Sequence, residues 1–107
     1  MKGFSGGMTN LLKHANQMQS KIKKMQEELA SREFEGTSGG GSVKISVNGE
    51  YFIQKIQIDS EIIKSGDIEL LQDMIKAATN DAIKMAKSIS QQEMQKITGG
   101  LNIPGYF

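Results

Sequence analysis

The fold is decided by SVKISVNGEYFIQKIQID, residues 42–59, because this stretch has two strand-forming runs around an Asn-Gly pair. Val43, Ile45 and Val47 alternate with polar residues, which gives the first run one apolar and one polar face. Asn followed by Gly readily adopts the positive φ that both central positions of a type I′ turn require. We therefore predict an antiparallel β-hairpin whose type I′ turn is centred on residues 48–49.

The second strand of this hairpin has an irregular apolar pattern. Phe52, Ile56 and Ile58 fall on one face, whereas Ile53 falls on the other. The strand is therefore either apolar on both faces near Ile53 or interrupted by a β-bulge.

A further strand is predicted at residues 32–38, REFEGTS, which alternate loosely between apolar and polar side chains. Three glycines at 39–41 separate it from the hairpin. They lack the Gly-Lys-Ser/Thr ending of a phosphate-binding loop and do not lead into a helix, so a flexible connection is expected. The result is a three-stranded antiparallel sheet.

Two long amphipathic helices flank this sheet in the sequence. The first is expected to start near Thr9 or Asn10, and the last to be capped by Asp67 and stopped at Gly99. Asp59 can cap a short turn between sheet and last helix. Both long helices carry apolar residues at alternating spacings of four and three. These are Leu11, Ala15, Met18, Ile22, Met25 and Leu29 in the first helix, and Leu71, Ile75, Ala78, Ala82, Met85 and Ile89 in the last.

The length of these helices predicts self-association. About 30 helical residues span roughly 45 Å, whereas a ten-residue strand spans roughly 33 Å. The sheet cannot cover the whole apolar seam of the last helix, and monomers rarely expose large apolar patches. We therefore expect an α+β fold of order helix–three strands–helix, with the helices projecting from a homodimeric core.

Length and composition exclude several classes of protein. The 107 residues suit one domain over residues 1–107, with residues 1–8 and 99–107 as flexible tails. There is no cysteine, which excludes disulfides and fits a reducing compartment. No apolar run is long enough for a signal peptide or a membrane span. A cytoplasmic protein without membrane attachment is expected.

The sequence offers no constellation of catalytic residues. His14 is the only histidine, and without cysteine it has no partner for a nucleophilic triad or for the usual zinc sites. The pairs Asp59–Glu61 and Asp67–Glu69 are explained by helix capping. We predict a protein that is not an enzyme and that uses no cofactor, metal or small-molecule substrate.

Charge is distributed unevenly along the chain despite a formal net charge of only +1. Residues 1–26 carry five lysines and no acid, residues 27–80 carry five basic against ten acidic residues, and residues 81–107 have a net charge of +1. A basic end on a neutral protein favours contact with a polyanion, although a solvated helix face gives the same pattern.

Four blocks of this sequence resemble successive blocks of the YbaB/EbfC family of bacterial nucleoid-associated proteins. They are GGMTNLLKHANQMQSKIKKMQEELA (6–30), GTSGGGSVKISVNGEYFIQKIQID (36–59), AATNDAIKMA (77–86) and ITGGLNIPGYF (97–107). The resemblance implies a small cytoplasmic homodimer, located at the nucleoid, whose helical arms bind double-stranded DNA and affect nucleoid organisation or gene expression. Carried to this chain, it implies DNA-binding roles for the arm lysines Lys13, Lys21, Lys23, Lys24, Lys84, Lys87 and Lys96.

Two other functions remain open at this point. The helices could form a protein-interaction module that acts with DNA-processing machinery. Alternatively, the first helix could lie on a membrane surface, with its lysines opposite Leu11, Met18 and Ile22. The absence of Trp from the chain, and of Phe from residues 9–30, disfavours the membrane alternative.

Overall fold

The computed structural model describes residues 2–99, and the side chains of residues 7–99. Its elements are α1 (Lys2–Ser31), β1 (Phe34–Ser38), β2 (Val43–Val47), β3 (Ile53–Ile58), α2 (Ser60–Lys64) and α3 (Ile68–Thr98). The strands form one antiparallel sheet in the order β1-β2-β3. The predicted α+β fold, a three-stranded sheet flanked by two long helices, is confirmed.

The hairpin between β2 and β3 has a different turn from the predicted one. The Asn48 amide donates to the Phe52 carbonyl at 3.0 Å, and the Tyr51 amide donates to the Asn48 carbonyl at 3.0 Å. These bonds enclose a three-residue loop in which Tyr51, with a φ of 67°, takes the left-handed conformation. This is the pattern of a type I turn followed by a left-handed bulge residue, so the predicted type I′ turn is wrong.

The physical reason lies in Asn48 and Gly49. The side-chain oxygen of Asn48 accepts hydrogen bonds from the amides of Glu50 (2.9 Å) and Phe52 (3.1 Å), which stabilises the wider loop. Glycine is required at position 49 because a side chain would collide with α1, and not because the turn needs a positive φ there. Its amide donates to the Leu29 carbonyl at 3.0 Å, and a Cβ at this position would lie 2.1 Å from that oxygen.

A bulge in β3 resolves the irregular apolar pattern of that strand. The register shifts between Ser46 and Val47, which leaves Gln54 without a partner on β2. Ile53 therefore lies opposite Val47, on the same face of the sheet as Ile56.

The core forms where the first half of α3 crosses β1 and β2. Ala78 and Ala82 are fully buried and lie against Gly36 of β1, where a Cβ would come within 2.2 Å of the α3 backbone. Two hydrogen bonds fix this contact: the Thr37 amide to Asp81 (3.1 Å), and the Ser38 hydroxyl to a carbonyl of α3 (2.6 Å). The fully buried side chains of β2, Val43, Ile45 and Val47, fill the space beside it.

The second half of α3 packs against α1 instead of being left for a second copy to cover. Met25 and Leu29 of α1 share a groove with Met94, and Lys21 shares one with Ile97, so the two helices run antiparallel. The buried line of α3 differs from the predicted seam, because it follows a spacing of four and Met85 is 45% exposed. The buried apolar residues of α3 are Met74, Ala78, Ala82, Ala86 and Met94. The expectation that the seam of α3 projects uncovered from the sheet is therefore wrong.

The α1 helix begins earlier than predicted. It starts at Lys2 and not near Thr9 or Asn10, because extending an existing helix adds a backbone hydrogen bond for each residue that is fixed. Residues 2–8 are thus helical, while residues 100–107 of the predicted tail lie outside the described residues. The remaining caps are as predicted: Asp67 accepts from the Leu70 amide at 3.0 Å, Asp59 caps α2, and Gly99 ends α3 with a φ of 65°.

The connection between β1 and β2 is a tight turn at Gly39–Gly41, closed by a hydrogen bond from the Ser42 amide to the Gly39 carbonyl at 3.3 Å. All three glycines have positive φ, between 60° and 96°, which explains why glycine occupies each position.

These contacts give the chain an elongated shape. It extends 77 Å with a radius of gyration of 20.6 Å, whereas a compact domain of this length has about 13 Å. The sheet and the first half of α3 form one end, and the first half of α1 extends beyond the end of α3 at the other.

Candidate nucleic-acid interface

A stripe of lysines follows one side of α1, turned away from the core at Lys13 and bordering α3 at Lys21. At about 100° per residue, Lys13, Lys21 and Lys24 fall within roughly 80° of one another. Ile22 and Leu29, which are buried against the core, are turned about 140–180° around the helix from Lys13 and Lys24, and about 80–100° from Lys21. We call Lys13, Lys21 and Lys24 the lysine stripe.

Polar side chains fill the spaces between these lysines. Asn16, Gln17 and Ser20 line the same shallow groove as Lys13 and Lys21. Amides and hydroxyls of this kind donate hydrogen bonds to phosphate oxygens in many nucleic-acid complexes. The groove, which the exposed Leu12 also lines, therefore combines positive charge and neutral donors with one apolar side chain.

Among residues 7–99, no lysine of the stripe forms an ion pair. The three ion pairs among residues 7–99 join Lys55 to Glu33, Lys64 to Glu61 and Lys96 to Glu93, and none of them includes the stripe. All three stripe lysines are exposed. Glu28 and Glu93 share a groove with Lys21 and Lys24 and lower the positive electrostatic potential there. The potential is lowered least near Lys13.

Lys23, although predicted with the others, lies apart from them. It is turned about 100° from Lys24 around the α1 axis and is exposed. A flat surface that contacts the whole stripe would therefore reach Lys23 only at its edge.

The lysines of α3 are not brought together into one surface. Lys96 pairs with Glu93 at 3.2 Å, and Lys87 lies over the ring of Tyr51, 5.6 Å from its centroid. Lys84 is exposed, about 120° around α3 from Lys96. Of the seven predicted site residues, the structure thus groups Lys13, Lys21 and Lys24.

A second surface, which the sequence did not single out, is apolar and lies on β3. Because α3 crosses β1 and β2, it leaves the inner face of β3 uncovered, and Ile53 and Ile56 are 47% and 52% exposed. Phe52 and Ile63 are exposed as well. β3 is also an edge strand within the described sheet, with one row of backbone groups unpaired. The sequence signal for this surface was the dense run of isoleucines in β3.

Tyr51 was also missed, because a left-handed position is normally occupied by Gly or Asn. Its ring lines a groove with Met25, Leu29 and Met94 at the junction of the hairpin with both long helices. The contact of its ring with Lys87 joins the end of the hairpin to α3.

Two kinds of site are not found in the described part of the chain. Residues 2–99 contain no group of three or more His, Cys, Asp or Glu side chains that could hold a metal ion. None of the helices described there is long and apolar enough to cross a membrane.

Comparison with known proteins adds independent information. The sequence model of the YbaB/EbfC DNA-binding family matches residues 4–101. A nucleoid-associated protein of Caldanaerobacter subterraneus subsp. tengcongensis is 50% identical over 107 residues, covering 98% of this chain and 96% of the relative. One of Clostridium novyi is 45% identical, covering 98% and 94%. The crystal structure of an uncharacterized protein from Helicobacter pylori has a TM-score of 0.68 at 25% identity, covering 86% of this chain and 94% of the other.

Proposed function

Because this chain belongs to the YbaB/EbfC DNA-binding family, we propose that it binds double-stranded DNA as a homodimer, mainly through phosphate contacts from α1. Its relatives are named nucleoid-associated proteins, and we infer that it acts at the nucleoid, where it affects DNA organisation or gene expression.

The observation that carries the proposal is the exposed lysine stripe. Lys13 and Lys21 are eight residues apart, which is about 12 Å along a helix. Phosphates of one DNA strand follow one another about every 3.4 Å along the duplex axis, so the length of the stripe matches roughly three or four consecutive phosphates. Lysine is a flexible point charge without the fork geometry of arginine, which favours contact with phosphates over reading of base edges.

The homodimer is supported by the uncovered face of β3. In one isolated chain Ile53 and Ile56 would remain in contact with water, which is unfavourable by about 25 cal/mol for each Å² of apolar surface. A second copy packed on the same face would cover these side chains, and two identical patches can do so about a two-fold axis. Such a pairing leaves the α1 arms of both copies free.

Two arms in one assembly strengthen phosphate binding. If each arm uses the three lysines of the stripe, the dimer neutralises about six phosphates and displaces their condensed counterions. Binding through the first arm raises the effective concentration of the second at the same duplex. We expect Lys23 and the α3 lysines to contribute mainly to the general positive field.

Charge reversal on α1 tests the proposal. Lys13, Lys21 and Lys24 are replaced together by Glu, and binding to a fixed duplex is measured by gel shift and by fluorescence anisotropy. We expect affinity to fall at least about a hundredfold, because six phosphate contacts per dimer become repulsive.

A matched control distinguishes the loss of the lysine stripe from the effect of the changed net charge. Lys44, Lys64 and Lys76 are exposed and lie in the half of the chain formed by the sheet, α2 and the start of α3. Their replacement by Glu changes the net charge by the same amount. Equal losses of affinity in both triple variants, each folded by circular dichroism, would show that the lysine stripe is not the DNA interface.

A further inference from the structure

The apolar seam of α1 continues past the end of α3. From Ile22 to Leu29 it is buried against α3 and the sheet, but α3 ends at Thr98, close to the level of Lys21. Beyond that point Leu11 and Met8 are 69% and 48% exposed. Leu11 and Ala15 continue the seam on the same side of α1 from Met18, which is half-buried and packs against the core. We call Met8, Leu11, Ala15 and Met18 the arm stripe.

The remaining chain starts where the arm stripe becomes uncovered. Gly99, with its left-handed φ of 65°, ends α3, and residues 100–107 follow with the sequence GLNIPGYF. Eight extended residues reach about 26 Å, whereas the ten residues from Met18 to Met8 rise about 15 Å along α1. The segment is long enough to cover the stripe.

The composition of this segment suits an apolar surface. Leu101, Ile103, Tyr106 and Phe107 are apolar or aromatic, and residues 100–107 carry no charged side chain. Pro104 lacks an amide hydrogen and disfavours helix in the residue before it, which favours an extended path over a continuation of α3.

We propose that residues 101–107 bind the arm stripe of their own chain. They lie along Ala15, Leu11 and Met8, beyond the half-buried Met18, and bury the part of the α1 seam that α3 does not reach. The interaction is an apolar contact within one chain, with no covalent step.

Two arguments favour this segment over a second copy of the chain. The stripe is about 15 Å long and one helix face wide, much smaller than the roughly 800 Å² per partner of a standard protein interface. A tethered segment has an effective concentration in the millimolar range, far above that of a second copy in dilute solution. Leu11 and Ala15 are turned about 140–180° around α1 from Lys13 and Lys24, so this contact does not depend on the proposed DNA binding.

Disulfide crosslinking tests the proposal directly, because the chain has no cysteine of its own. The test pair is Ala15→Cys with Asn102→Cys, which leaves the larger apolar side chains in place. The control pair is Ser20→Cys with Asn102→Cys. Ser20 is exposed and nearer to the end of α3, but lies on the opposite side of α1. Rates of oxidation are followed on non-reducing denaturing gels.

We expect the test pair to close within one chain at least about tenfold faster than the control pair, because docking holds residue 102 on the side of Ala15. Equal rates would overturn the proposal, and so would slow closure of both pairs. A crosslink that joins two chains would show instead that a second copy supplies the covering segment.

Hydrogen exchange of the full-length chain provides a second readout. Leu101→Ser with Ile103→Ser removes two apolar anchors, and Asn102→Ser serves as the control. We expect amides of residues 8–18 to exchange at least about threefold faster in the double variant only, while residues 22–29, already packed on α3, stay unchanged. Unchanged exchange at residues 8–18 would contradict docking.

Discussion

Gly36→Ala should be among the most destabilising conservative changes in this chain. A Cβ at residue 36 would lie 2.2 Å from the Ala78 carbonyl oxygen and from the Ala82 amide nitrogen. Restoring an ordinary contact of 3.4 Å requires β1 and α3 to separate by about 1.2 Å. Overpacking of this kind costs about 2 kcal/mol, and weakening the adjacent Thr37–Asp81 hydrogen bond (3.1 Å) adds about 1 kcal/mol.

We therefore expect the free energy of unfolding to fall by about 3 kcal/mol and the melting temperature by about 10 °C or more. Urea denaturation followed by circular dichroism, at one fixed chain concentration, measures this. Gly7→Ala is the control, because that position has nothing within 4 Å and should gain up to about 1 kcal/mol from helix propensity.

The clash in Gly36→Ala is with backbone atoms, so truncation of a facing side chain should not relieve it. The double variant Gly36→Ala with Ala82→Gly should be no more stable than the single variant. A Gly36→Ala protein within about 0.5 kcal/mol of the wild type would refute the close approach of β1 to α3.

Three further changes test other contacts. Gly49→Val should lower the melting temperature strongly, because its Cβ would lie 2.1 Å from the Leu29 carbonyl oxygen, and an unchanged melt would contradict that contact. Asp67→Ala should cost about 1 kcal/mol in urea titrations by removing the cap on the Leu70 amide, whereas Asp67→Asn should retain most of the stability. Ile56→Glu should give a folded monomer by light scattering where the wild type gives twice the 11.7 kDa chain mass, and a wild-type monomer at the same concentration would exclude the proposed dimer.

The elements of the fold could be predicted from sequence because local patterns specify them. Alternation identified β2, the spacing of four and three identified both long helices, and the capping residues Asp67 and Gly99 marked the limits of α3. Such patterns act over a few residues and need no knowledge of the rest of the chain.

Properties that depend on distant contacts could not be predicted in this way. The role of Gly49 is set by the Leu29 carbonyl, twenty residues away in the sequence. The pairing of α1 with the end of α3 depends on the direction in which the chain returns from the sheet, and spacing alone does not specify it. For the same reason the sequence did not indicate that Lys87, one of the seven predicted lysines, lies over the ring of Tyr51 in the hairpin.

The central claim is that α1 binds DNA through phosphates, and the salt dependence of affinity tests it most directly. Dissociation constants are measured over a series of salt concentrations on two duplexes of unrelated sequence. For about six phosphate contacts per dimer we predict a log–log slope of roughly −5, nearly equal on both duplexes, that becomes much shallower when Lys13, Lys21 and Lys24 are replaced by Glu. A slope near zero, or the same slope in the folded triple variant, would contradict the account.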